Sequence, residues 1–106
     1  MALYVIPVAR RAPHQTQTTT LDGRAFVIRL DWNARIQRWF LSIETSGGTS
    51  IMRSRAVVLG ADLLRQVRHD PAAPQGALML IDSQGDDVEA GLDTLGARHR
   101  LIYFSD

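Results

Sequence analysis

Three histidines, a group of acids near residue 85 and scattered serines are the residues of this chain best suited to chemistry, and their spacing decides what they can do. His14, His69 and His99 stand far apart and form neither an HxH nor an HExxH pattern. A zinc centre needs three or four converging ligands, so three independent surface histidines are the simpler reading. Asp82, Asp86, Asp87, Glu89 and Asp93 offer oxygen ligands. A calcium loop wants acids at alternate positions, a central glycine and a bidentate glutamate at the end. DSQGDDVEAGLD misses that pattern, with Gln84 third, Gly85 fourth and Asp93 last, and reads as a solvated loop. No G-x-S-x-G elbow marks a nucleophile, and Gly47-Gly48 is not followed by the GK[ST] of a phosphate loop. The residues therefore point to no enzyme, no metal and no cofactor.

Aromatic and arginine side chains offer a different chemistry, that of contact. Trp32, Trp39 and Phe40 beside Arg29, Arg35 and Arg38 have the composition of a stacking platform for single-stranded nucleic acid. Both tryptophans, however, continue the inward phase of their strands and are expected in the core. Phe40 breaks that phase and is expected to face outward among arginines, a common composition for a protein contact. Arg35, Arg38, Phe40, Arg53 and Arg55 are the candidate protein interface, with the loop Ser83 to Gly91 beside them.

The elements that must position these residues are mostly strands. Tyr4 to Val8 is an expected short strand confined to an edge by Pro7. Gln15 to Leu21 suits a strand with one wet face. Asp22-Gly23 is a strong hairpin signal, with Gly23 expected at positive φ, and Arg24 to Trp32 is the return strand. Its Phe26, Ile28, Leu30 and Trp32 share one face, by a clear period of two. After the turn Asn33-Ala34-Arg35, the strand Gln37 to Thr45 puts Trp39, Leu41 and Ile43 on the same side. A Gly-Gly turn leads to Ser50-Ile51-Met52. Ala56 to Gly60 reads as a short buried run and Ala61 to Val67 as a helix of two turns. Ala77 to Ile81 and Arg98 to Phe104 are the closing strands. The expected fold is all-β: a small antiparallel β-barrel or sandwich of about seven short strands with one short helix.

The 106 residues suit a single β-rich domain spanning 1–106, and a hydrophobic fraction of 45% with 22% charge is ordinary for a globular protein. A net charge of +1 supplies no driving force for phosphate, so no nucleic acid is expected. All 12 basic residues are arginine. A GC-rich coding sequence explains that, and so does a need for desolvated, bidentate pairs. There is no cysteine, no apolar run long enough for a membrane span and no signal-peptide pattern at the start, so synthesis in the cytoplasm and no membrane partner are expected.

The run Leu21 to Ile51 resembles the core of the baseplate plug proteins of contractile-tailed phages. The resemblance rests on Asp22-Gly23, the strand Phe26 to Leu30, Trp32-Asn33, Arg35, Trp39-Phe40-Leu41 and the glycine turn that follows. Val58 to Leu64, Leu78 to Asp82, Leu95-Gly96 and Leu101 to Tyr103 extend it, so that it covers Gln15 to Phe104. One departure is Arg53-Ser54-Arg55, where the family often has a small apolar segment. The resemblance implies a structural component of a phage or prophage tail baseplate, made in the bacterial host. Its implied place is near the tail axis, with hub, spike and tube-initiator proteins as partners and an oligomer open in the assembly. The alternative is a small β-barrel that binds nucleic acid or a small ligand, which the resemblance would make a prophage component.

Overall fold

The computed structural model describes residues 3–85 and 89–105. Seven strands follow in order: β1 (Leu3–Ile6), β2 (His14–Leu21), β3 (Arg24–Asn33), β4 (Arg38–Thr45), β5 (Ser50–Ala56), β6 (Ala77–Asp82) and β7 (His99–Phe104). They form two antiparallel sheets, one of order β2-β3-β4-β5 and one of order β1-β7-β6. The sheets stack as an open sandwich, which decides between the two architectures that the sequence allowed.

The larger sheet is the meander that its turn signals predict. Asp22 and Gly23 take φ values of 54° and 80°, as a two-residue hairpin of this twist requires. The next turn is held by Asn33, whose Oδ1 accepts the Arg35 and Ile36 amides at 3.0 and 3.4 Å. Register then places Ile28 beside Ile43 and Leu30 beside Leu41. These residues, with Phe26 and Trp39, are buried against Ile6, Leu78, Leu80, Leu101 and Tyr103 of the smaller sheet, in one core shared by both. Trp32 is the exception in the expected core: it lies at the strand end, half-buried, with its ring 5.4 Å from that of Trp39.

Two expectations are corrected. The helix over Ala61 to Val67 is a single 3-10 turn, Arg65–Val67. Long-range bonds hold the segment before it: the Leu63 amide donates to Leu78 O at 2.8 Å, and Asp62 Oδ1 accepts the Leu64 and Leu78 amides. Asp62 thereby ties this segment to β6 instead of capping a regular helix. The run Ala56 to Gly60 is not uniformly buried either, because Val57 turns inward while Val58 is 38% exposed.

The sandwich is latched at one end by Tyr103. Its hydroxyl donates to Asp22 Oδ2 at 2.5 Å and accepts the Gly76 amide at 2.8 Å. Arg24 adds bonds to the carbonyls of Pro71 and Ala73 at 3.1 and 2.7 Å.

Candidate interaction surface

Because side chains alternate along a strand, the face of the larger sheet that looks away from the core carries Val27, Arg29 and Asp31 from β3 and Phe40, Ser42 and Glu44 from β4. Phe40 sits on it half-buried, between Asp31 and Ala56 in register, beside an open groove that Asn33, Ala34 and Ser54 also line. A second groove, of about 290 Å³, runs along Arg29, Ser42, Glu44 and Arg53. Both signs of charge are present in it, so the surface is polar and mixed.

The five candidate contact residues divide between locations. Arg35 is exposed in the β3–β4 turn. Arg38 begins β4, with its guanidinium 3.9 Å from Glu89. Arg53 is exposed on the outer face, where its Nε donates to Ser50 Oγ at 3.2 Å. Arg55 goes to the other side. Met52 pairs with Ile43 and Arg55 with Leu41, so Arg53 and Ser54 together oppose Ser42 alone. This is a β-bulge, and it reverses the phase of the strand. Ser54 occupies it at φ 48°, its amide bonded to Ser42 Oγ at 2.9 Å. Arg55 consequently points inward at the rim, donating to Gln66 Oε1 at 2.6 Å. A bulge depends on which residues pair, and one strand read alone does not reveal it.

The other chemistry-bearing residues are dispersed. His14 lies on the surface 2.9 Å from Asp31, His69 is exposed in a loop, and His99 is buried in β7. Asp82 is buried in a bidentate pair with Arg98, at 2.9 and 2.8 Å. Glu89 accepts the Leu59 amide, Asp93 meets Arg11 at 3.2 Å, and Asp86 and Asp87 lie outside the described residues. Among the described residues, no three or more of these types gather to hold a metal ion. Trp39 is fully buried, its Nε1 donating to Gly91 O at 3.1 Å, so its ring is not available for stacking on a base.

Reading the sequence for outward aromatics missed a second surface, on the smaller sheet. Register places Met79, Ile102 and Val5 side by side, and Ala77, Phe104 and Leu3 in the next row. All of these alternate with the core residues Ile6, Leu78, Leu80, Leu101 and Tyr103, so they face away from the core. This face is apolar apart from Arg100, and Ile102 at its centre is only 5% exposed. The signal in the sequence was the unbroken apolar runs Leu3 to Ile6, Ala77 to Ile81 and Leu101 to Phe104, in contrast to the alternation of β3 and β4.

A family model described as the cyanophage baseplate Pam3 plug gp18 matches residues 3–106. A search of curated proteins returns no match.

Proposed function

The chain belongs to the cyanophage baseplate plug family, and from that premise we propose that it is a plug-like structural protein bound to hub and tube proteins near the axis of a contractile tail. Family membership supports a structural role in the virion tail baseplate, in association with other baseplate components. The observation that carries the reading is the length of the match, which takes in both sheets and every connecting segment between them. The physical character of the molecule agrees with it: a core shared by two sheets, and outer faces of contrasting chemistry.

One contact belongs, in this reading, on the outer face of the larger sheet. Phe40 supplies an aromatic anchor there, with Arg38 and Arg53 on either side and Arg35 at the tip of the turn. Aromatic and arginine residues are enriched where protein contacts carry most of their energy. Arg55, turned to Gln66 by the bulge, stands at the rim. The mixed charge of this face disfavours a phosphate backbone, which needs a concentration of positive charge.

Co-expression with the hub, spike and tube-initiator proteins of the same gene cluster, followed by pull-down, tests the reading. Co-purification with at least one of them is expected. If none co-purifies, and the chain instead binds an oligonucleotide with submicromolar affinity at physiological salt, the nucleic-acid alternative replaces it.

A further inference from the structure

Asp22-Gly23 is the only place in the chain where an aspartate or asparagine is followed by glycine. That pair has a chemistry of its own. The Gly23 amide nitrogen can attack the side-chain carboxyl carbon of Asp22, and glycine puts no Cβ in the way. A bond forms between this nitrogen and Cγ, and the Cγ–OH bond of the protonated carboxyl breaks. The hydroxyl leaves as water with the amide proton, and a five-membered succinimide remains. Water then opens the ring at either carbonyl carbon. Addition at Cγ restores aspartate. Addition at the main-chain carbon leaves isoaspartate, in which the backbone runs through Cβ and Cγ. The mass is unchanged, and water is the only co-reactant.

Bulk does not shield the pair. Asp22 and Gly23 are exposed between β2 and β3, and a Cβ built on Gly23 would meet nothing within 4 Å. The fold restrains the carboxyl instead. Asp22 Oδ2 accepts the Tyr103 hydroxyl at 2.5 Å. That hydroxyl comes from β7, on the other sheet, and its oxygen accepts the Gly76 amide at 2.8 Å. Tyr103 is only 2% exposed, so the anchor does not move with the hairpin. Closing a five-membered ring draws Cγ onto the Gly23 nitrogen, a movement that a carboxyl held by Tyr103 resists.

We propose that Asp22 is a site of isoaspartate formation and that the Tyr103 hydroxyl is the brake on it. While the bond is made, the reaction waits for the carboxyl to come free. Once isoaspartate forms, the backbone gains a methylene in a two-residue turn whose geometry fits α-linked residues alone. The carboxyl that Tyr103 held becomes part of the main chain. The modification thus removes the polar link between the hairpin and the smaller sheet. This inference is independent of the baseplate reading.

The test follows the tryptic peptide of residues 12–24, cut after Arg11 and Arg24, in which Asp22 is the only aspartate. Its aspartate and isoaspartate forms have equal mass and separate by chromatography. The full chain is aged at neutral pH, folded and, in parallel, unfolded in urea. Folded wild type should accumulate isoaspartate about tenfold more slowly than the unfolded chain, and folded Tyr103→Phe about fivefold faster than folded wild type, as the loss of one hydrogen bond implies. Ser54→Val weakens the opposite edge strand of the larger sheet and changes neither Asp22 nor Tyr103. It should age at the wild-type rate. Equal rates in folded and unfolded wild type overturn the inference, whether or not Tyr103→Phe folds. A folded Tyr103→Phe that ages like wild type overturns it as well. Equal acceleration by Ser54→Val would assign the protection to global stability and overturn the role of Tyr103.

Discussion

At Tyr103 a single hydroxyl connects the two sheets, and its proton should be visible in the stability of the whole. Burial first, and then the hydrogen bond to Asp22, push the phenol from its ordinary 10.0 up to about 12. The folded chain thus holds this proton more tightly than the unfolded chain. Its contribution is fully present below pH 10 and is lost as the pH climbs from 10 towards 12, where the unfolded phenol ionises first. The chain has no lysine to titrate in that window. Thermal midpoints measured across it should fall for the wild type and fall less for Tyr103→Phe; equal slopes would place the cause elsewhere. At neutral pH, Tyr103→Phe should cost about 1–3 kcal/mol in denaturant unfolding, because the buried Gly76 amide loses its acceptor. Gly76 has its own constraint. A Cβ there would lie 2.2 Å from Phe104 O and 2.8 Å from the Tyr103 ring, so Gly76→Ala should destabilise by about 2–3 kcal/mol through overpacking. A loss below about 0.5 kcal/mol, the usual range of a surface substitution, would show that the latch yields easily.

Among the elements, β5 shows how one residue redirects a strand. Ser54 sits at φ 48°, where an L side chain is strained and glycine is not. Ser54→Gly should therefore be neutral or stabilising. Ser54→Val should cost about 1–2 kcal/mol, since a β-branched residue resists this conformation. Urea midpoints of the two variants check the order, and a valine variant as stable as the glycine one would mean that the bulge is not what holds Arg55 inward. The same strand marks the reach of sequence reading. The alternation of Phe26, Ile28, Leu30 against Val27 and Arg29, and the Asp22-Gly23 pair, are local signals, and the larger sheet was legible from them. The fate of Asp62-Leu63-Leu64 was not. Its local pattern suits a helix, while the bonds that prevent one come from Leu78, fourteen or more positions away. The candidate contact residues were chosen by type, and their division between two faces follows from the bulge, which depends on pairing. The smaller sheet lay between these cases. The unbroken apolar runs of Leu78 to Ile81 and Leu101 to Phe104 signal strands covered on both faces, and the sequence shows that need without showing what covers the outer one.

For the molecule as a whole, the shared core makes the two sheets dependent on each other. Trp39 and Leu41 of β4 are buried in the same cluster as Leu101 and Tyr103 of β7. The Asp22–Tyr103 bond adds a polar link between the β2–β3 hairpin and the smaller sheet. Each sheet covers the apolar inner face of the other, and a three-stranded sheet with a bare apolar face is a poor independent folding unit. Unfolding should accordingly be a single transition. The discriminating measurement is native-state amide exchange on Trp39→Ala. Truncating this ring should cost about 3–5 kcal/mol, as large aromatic losses in cores do, and the Gly91 carbonyl loses its donor as well. If the sheets open together, exchange at the Leu101 and Tyr103 amides of β7 should accelerate by the same factor as at Leu30 and Leu41, although β7 itself is unaltered. Were β7 to keep its wild-type protection while β3 and β4 lost theirs, the sheets would be separate cooperative units.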